Sequence, residues 1–309
     1  MGRFSRPPIV PTAILVLRVL AAIFAPLIAP HDPQQQDLLM RLTPPVWVKG
    51  GSWQYPLGTD GLGRDVASNM IYGLRVSLLA GIVSVAISVA LGGVTGLIAG
   101  AAGDGWFDAM LMRLVDIQLS IPVVLIALAV LALTGRGLWK VILVIGLVGW
   151  AQYARLVRAS VLAERRKDYV LAARLLGASR RRVIFRHLLP NVLGPLFVQV
   201  SVDIPRAVEL EASLSFLGLG VAVTTPSLGL RIAQGYQYLF SGAWWPSVLP
   251  GLALVLLVLC ENLIGDWVRD VLDPHYRRRR HKPAKADDRR KPAKPDTRRQ
   301  PAAIERTAP

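Results

Sequence analysis

The chain has 309 residues, of which 53% are hydrophobic and only 18% are charged, and its mean hydropathy is +0.43. This composition excludes an ordinary soluble globular domain and makes insertion into a membrane the first hypothesis. The formal net charge of +16 would also suit a nucleic-acid-binding protein, but the basic residues gather in two segments that follow apolar stretches.

Six apolar stretches predict helices that cross a bilayer, which takes about 20 apolar residues. They run over residues 9–30, 76–102, 117–133, 141–157, 192–207 and 245–264. The first predicts a retained anchor and not a cleaved signal peptide, because Arg18 interrupts it and no small-residue cleavage signature precedes His31. The sequence therefore predicts an all-α polytopic membrane protein with six transmembrane helices.

The link between the first two spans, residues 31–75, is rich in Pro, Gly and Asp and predicts a connection outside the bilayer. The second span carries Gly92, Gly96 and Gly100 at every fourth position. Three small side chains along one helix face predict close packing against another helix.

Polar residues interrupt the later spans at two places. Residues 104–116 predict a short polar turn before the third span, which Pro122 should kink. The fifth span contains Asp203 and Arg206, whose spacing permits an ion pair on one helix face. A position at the membrane interface is the favoured interpretation of such a pair, and pore lining is the alternative. A Gly-rich and Ser-rich stretch, residues 214–242, follows this span.

Two segments are strongly basic: residues 155–190, after the fourth span, and residues 277–309, at the C-terminus. Positive charge gathers in loops that stay in the cytoplasm, so both segments and the N-terminus should lie on the cytoplasmic side. From residue 274 onward there are few apolar side chains to bury. We expect this tail to be disordered and to be attracted to anionic lipid headgroups.

The segment from Asp168 to Asn191 reads DYVLAARLLGASRRRVIFRHLLPN and predicts two short helices. Gly177 suits the left-handed position that ends the first helix, and Ser179 can cap a second helix that Pro190 should end. Three arginines in the first turn of the second helix oppose its dipole, so an acidic lipid surface or an acidic protein groove is expected opposite them. On composition alone, a plain cytoplasmic hairpin explains the segment equally well.

The order of these residues resembles the cytoplasmic loop shared by permease subunits of binding-protein-dependent ABC importers. The likeness lies in two alanines, a later glycine, and then an apolar residue, a histidine and a proline. The predicted ATPase-coupling loop, about residues 161–190, thus contains Leu171, Ala172, Ala173, Gly177, Ala178, Ile184, His187 and Pro190. Leu171 stands where the family usually has a glutamate, a replacement found in the branch of dipeptide, oligopeptide and nickel permeases.

Three further segments resemble the same branch, namely residues 56–81, 209–220 and 261–274. The motif residues in the first two are Gly58, Thr59, Asp60, Gly63, Arg64, Asp65, Glu211, Ser215 and Gly218. Asp203, Arg206 and Leu228 depart from the family pattern, and Leu228 replaces a tryptophan.

The resemblance implies a C-type permease subunit with the type I transmembrane fold of ABC importers. Residues 1–75 would form a stub, the first helix and an extracytoplasmic connection, residues 76–273 the permease core, and residues 274–309 the cytoplasmic tail. The implied partners are a homologous permease subunit in a heterodimer, two ATP-binding cassette subunits that bind ATP and Mg, and an extracytoplasmic substrate-binding protein. The location would be the inner or plasma membrane.

The chain itself is expected to hold no cofactor and to be a non-catalytic subunit, because it contains no GxxxxGK[ST] phosphate loop. Peptides are the predicted substrate class, and nickel or another small solute is the alternative.

Other function classes find less support in the residues. An integral membrane enzyme would need catalytic groups or metal ligands at suitable spacing, and the four histidines are scattered. Asp60 and Asp65 could bind a cation, although a turn-forming role is the simpler interpretation. A secondary transporter would need carboxylates inside broken helices, and the first four predicted spans contain none. Nucleic acid is not an expected partner, and Cys260 as the single cysteine leaves no disulfide framework.

Overall fold

The computed structural model describes residues 7–103 and 105–272. The α-helices are α1 (Ile9–Ile23), α2 (Ala25–Ile28), α3 (Val66–Ala102), α4 (Trp106–Leu119), α5 (Val123–Thr134), α6 (Leu138–Arg165), α7 (Asp168–Leu175), α8 (Arg180–Arg182), α9 (Leu189–Phe216), α10 (Leu228–Tyr236) and α11 (Trp245–Leu272). Leu38–Met40 and Leu239–Ser241 form 3-10 turns, and Val183–Leu188 forms a π-helix. No strand occurs among the described residues, so the predicted all-α class is confirmed.

Four helical stretches are long and apolar enough to cross a membrane: α3, α6, residues 180–216 and α11. A fifth crossing is added if α4 and α5, bent by 84° at a short break, count as one broken span. α1 has 15 residues, fewer than the roughly 20 of a straight crossing. The six predicted spans therefore correspond to six apolar elements, of which four or five reach the length of a crossing.

α3 begins at Val66 and not at residue 76, so the end of the predicted connection is helical. The Asp65 carboxylate accepts hydrogen bonds from the backbone N–H groups of Ala67 (3.2 Å) and Ser68 (3.0 Å). These bonds satisfy donors that the first turn of a helix leaves free, which explains why the helix starts here.

The prediction of a polar turn before the third span is wrong, because these residues form α4. Its acidic side chains are paired with arginines of α6: Asp108 with Arg158, and Asp116 with Arg155. Charge-assisted bonds from a neighbouring helix allow a polar sequence to stay helical. The predicted kink is present, since Pro122 lies immediately before α5 at the 84° bend.

α3 and α6 pack closely along the three glycines of α3. A Cβ on Gly92, Gly96 or Gly100 would collide with α6. The residues that it would meet are, in that order, Trp150, Ala154 and Val161. Only glycine permits this approach of the two helices.

The second helix of the basic segment does not end at Pro190, contrary to the prediction. α8, the π-helix and α9 form one helical stretch of 37 residues. Pro190 lies just after the wider π-turn, and the helix continues through it. The loop and the fifth span are therefore one continuous rod.

The tail, residues 274–309, lies outside the described residues, as do Asp104 and the first six residues. The disorder of the tail stays a prediction. Cys260 is a buried free thiol in α11.

Candidate functional site

The basic loop (residues 161–190) turns the chain between α6 and α9. Gly177 follows the end of α7 with a φ of +82°, the left-handed value predicted for it. A Cβ at Gly177 would meet nothing within 4 Å, so the backbone conformation and not crowding requires glycine. The Ser179 hydroxyl accepts a hydrogen bond from the N–H of Arg182 (3.3 Å), as predicted for a cap.

The inner face of the basic loop belongs to the protein core. Val170, Val183 and Leu188 are buried in the cluster that continues into α6 and α9. Ala178 and Ile184 pack partly buried at its edge. The loop is therefore built into the bundle and is not a free hairpin.

The outer face of the basic loop exposes apolar side chains among its charged ones. Leu175 and Leu176 are each 88% exposed, and Phe185 and Leu171 are also exposed. Leu175 and Leu176 lie at a turn between Arg174 and Arg180. Exposed apolar side chains at such a turn make this surface a candidate for contact with another protein.

Two arginines tie the basic loop to the end of α3. Arg165 donates a hydrogen bond to the carbonyl oxygen of Gly100 (2.8 Å), and Arg180 donates one to that of Ala101 (2.9 Å). The last carbonyl groups of a helix lack intrahelical partners and carry the negative end of its dipole, so cations are favoured there. A movement of the loop therefore acts on α3 as well as on α9.

Tyr169 links α7 to both neighbouring helices. Its hydroxyl donates to Glu164 (2.8 Å) and accepts from the amide of Asn191 (3.1 Å). Burial, the hydrogen bond to Glu164 and the charge of that carboxylate raise the pKa of Tyr169 to about 12. Asn191 also donates to the carbonyl oxygen of His187 (2.7 Å), so His187 takes part through its backbone at the helix end.

The remaining loop residues that the sequence singles out are split between the two faces. Ala172 and Pro190 are exposed, and Ala173 and His187 are half-buried. They do not form a catalytic cluster, and the loop offers a surface for contact.

The first family motif forms a tight turn in front of α3. The Asp60 carboxylate accepts hydrogen bonds from the backbone N–H groups of Leu62 (2.8 Å) and Arg64 (3.0 Å), and from the Arg64 side chain (2.8 Å). Gly58 and Gly63 take left-handed φ values of +81° and +72°. This geometry supports the turn-forming role of Asp60.

The other motif residues fix the same turn. The carbonyl oxygen of Thr59 accepts a hydrogen bond from the indole of Trp245 (3.0 Å), and Asp65 caps α3 and lies 3.5 Å from His31. Within the described residues, no group of three or more potential metal ligands occurs.

Arg231 of α10 completes this region, and no feature of the sequence points to it. It lies 3.8 Å from the Asp60 carboxylate and donates to Gln234 (2.9 Å), which also accepts from Arg64 (3.0 Å). Burial and the neighbouring charge of Arg64 lower the pKa of Arg231 to about 10. These groups line a cavity of about 200 Å³.

The second family motif holds three parts of the chain together. The buried Glu211 carboxylate accepts hydrogen bonds from Ser77 of α3 (3.0 Å), Ser215 (2.8 Å) and Ser227 (2.8 Å). Gly218 ends α9 with a φ of +79°. A carboxylate with hydroxyl donors from three segments supports a structural role.

A second cavity, of about 350 Å³, lies between α9 and the helices α3, α5 and α6. Asp203 and Arg206 line it and form the ion pair that their spacing predicts (3.2 Å). The pair therefore lines an open cleft between these helices, with Arg206 largely exposed. The spacing of Asp203 and Arg206 predicts the ion pair. It does not predict the cavity, because helices from distant parts of the chain form it.

Comparison with known proteins agrees with this architecture. Residues 92–278 match the family described as binding-protein-dependent transport system inner membrane component. Residues 9–45 match the N-terminal TM domain of oligopeptide transport permease C.

Curated relatives match most of the chain. It is 45% identical to the di/tripeptide transport system permease protein of Pseudomonas aeruginosa, over 84% of this chain and 85% of the relative. It is 43% identical to the dipeptide transport system permease protein of Escherichia coli K12, over 89% and 91%. Among solved structures, the inward-facing methionine ABC transporter MetNI has a TM-score of 0.55 at 21% identity, over 66% of this chain and 96% of that one. This likeness supports the fold.

Proposed function

Because this chain belongs to the family of binding-protein-dependent transport system inner membrane components, we propose that it forms half of the translocation path of an ATP-driven peptide importer. The relatives named above are permeases for dipeptides or tripeptides, which supports dipeptides or oligopeptides as its substrates. Nickel or another small solute is the alternative.

The observation that carries the proposal is the construction of the basic loop. Its outer face exposes apolar side chains, while its inner face is core and its ends continue into α9 or bond to α3. A partner that pushes on the outer face moves two spans. The loop is thus suited to pass a conformational change from an ATPase to the path.

The remaining subunits follow from this role. A homologous permease would supply the other half of the path, two ATP-binding cassette subunits would bind ATP and Mg and hydrolyse the nucleotide, and a binding protein would deliver the substrate. In this arrangement the basic loop, the tail and both termini lie in the cytoplasm, and residues 31–65 face the opposite side. The permease core spans residues 76–273 and is not itself an enzyme.

A double substitution on the outer face tests the proposal. Leu175→Glu with Leu176→Glu should lower dipeptide uptake by at least about tenfold, because contact residues at the centre of an interface dominate binding. Uptake and ATP hydrolysis stimulated by the binding protein are measured in proteoliposomes that hold the whole importer. Membrane insertion should be unchanged, since both side chains are exposed.

Leu39→Glu is the matched control, because Leu39 is also highly exposed but lies on a distant turn. Uptake by the double variant at the rate of the unmodified chain would contradict the proposal. Parallel uptake of labelled dipeptide, oligopeptide and nickel by the unmodified importer decides between the substrate classes.

A further inference from the structure

Polar and charged side chains follow one side of α9, which belongs to one of the helical stretches long and apolar enough to cross a membrane. Gln199, Asp203, Arg206, Glu209 and Ser213 recur at helical spacing and share one side of the helix. Charged side chains inside a membrane span are costly and mark paths for substrates or ions. Four of the five residues line the cavity of about 350 Å³, together with Ser88 of α3 and Gln152 and Tyr153 of α6.

On this face, the Asp203 carboxylate is held by hydrogen bonds, whereas the Arg206 guanidinium is largely exposed. Asp203 is buried and is held by the amide of Gln199 (2.9 Å) and by Arg206 (3.2 Å). The Arg206 side chain remains 63% exposed to the cavity side. Its bond to Asp203 uses one of five N–H donors, so the guanidinium can also bind a carboxylate.

Both signs of charge are available to a molecule in the cavity. Glu209 lies three residues after Arg206 and is exposed on the same side. The buried Tyr153 hydroxyl lies beside Asp203 in the wall of the cavity. The volume falls in the range of roughly 300–1,000 Å³ that small-molecule sites occupy.

We propose that this face contacts the peptide during its passage, with Arg206 placed for carboxylate groups and Glu209 placed for ammonium groups. This inference rests on the proposed importer function and adds a preference of the path itself among peptides that differ in side-chain charge. The alternating order of acid and base on α9 offers an oppositely charged partner to an acidic and to a basic side chain.

Substitutions that remove one charge should change the ranking of substrates. The assay measures uptake of Ala-Asp, Ala-Ala and Ala-Lys by the complete importer in proteoliposomes, at saturating binding protein. Arg206→Gln should lower the uptake ratio of Ala-Asp to Ala-Lys by about tenfold, the size expected for a lost hydrogen bond to a charged group. Glu209→Gln should raise that ratio.

Two further variants separate charge from folding. Arg206→Lys retains the cation and should keep most of the preference of the unmodified chain. Arg113→Gln removes an exposed arginine of α4, away from the cavity, and should leave the ratio unchanged. ATP hydrolysis stimulated by the binding protein reports assembly in every variant.

The possible results are distinct. An altered ratio in opposite directions for Arg206→Gln and Glu209→Gln supports the inference. Normal uptake by the unmodified importer, with all three peptides affected equally in both variants, overturns it and leaves the importer function intact. Absence of any peptide uptake by the unmodified importer overturns both.

Discussion

The first family motif and the basic loop make an instructive comparison, because both turn the chain on a left-handed glycine. At Gly63 an added Cβ would run into the backbone of Asp37, whereas at Gly177 it would meet nothing. The motif turn uses its polar groups internally, through Asp60, Arg64 and Asp65. The basic loop leaves its outer leucines uncovered. Residues that resemble one family pattern therefore differ in what they use their side chains for: the motif turn bonds to itself, and the loop leaves apolar side chains open, as a contact with the proposed ATPase partner would need.

The largest effect is expected at the motif turn. Gly63→Val should destabilise the fold by about 3 kcal/mol or more, because a strained φ and a backbone collision act together. Thermal unfolding of the detergent-solubilised protein measures this loss. Gly194→Ala is the control, since a Cβ there meets nothing and helix propensity improves. An unchanged melting temperature for Gly63→Val would contradict the stabilising role of the motif turn.

Structural features that depend on neighbouring residues in the chain are predicted from the sequence better than features that depend on distant residues. Apolar runs reveal the spans, and Gly177 and Ser179 are predicted correctly because turn and cap chemistry is local. The helix α4 is missed, since Asp108 and Asp116 look like turn residues until arginines of α6 pair with them.

The site is predicted less completely than the fold, for the same reason. The hydrogen bonds from Arg165 and Arg180 to the end of α3 join residues far apart in the chain, so no local sequence pattern predicts them. Pro190 is misplaced because a π-turn lets the helix run on. The cavity beside Arg206 needs four helices and has no signal in the sequence beyond the charges themselves.

Gly177→Val should separate function from folding in the basic loop. The strained φ should cost about 1–3 kcal/mol and displace the exposed leucines, so uptake should fall about tenfold while insertion is retained. Gly177→Asn should keep more activity, because asparagine tolerates the left-handed conformation. Equal activity of the two variants, measured as peptide uptake in proteoliposomes, would show that the turn geometry is unimportant.

Asp65→Ala should have an intermediate effect on stability. Loss of the cap at the start of α3 should cost about 0.5–2 kcal/mol in thermal unfolding. Asp37→Ala removes the cap of a three-residue turn only and should cost less. A larger loss for Asp37→Ala would reverse the assignment of Asp65 as the anchor of the turn.

The smallest effect is a pH dependence at Tyr169. Its pKa of about 12 lies above the ordinary value of roughly 10. The neutral hydroxyl therefore contributes stability that is complete below about pH 10 and is lost as the pH rises toward 12. The contribution is small because the residue is partly exposed. The pH titration of tyrosinate absorbance in the unmodified chain, minus that of Tyr169→Phe, should give the raised pKa of Tyr169. An ordinary pKa would show that Tyr169 does not donate a hydrogen bond to Glu164.

The outer face of the basic loop is proposed to touch an ATPase subunit in the cytoplasm. A single cysteine at Leu175→Cys, in a Cys260→Ala background, tests it by crosslinking in native membranes, with Leu39→Cys as the control. We expect a crosslink from position 175 to the ATP-binding cassette subunit, and none from position 39. Labelling of position 175 from outside intact cells by a membrane-impermeant thiol reagent would contradict it.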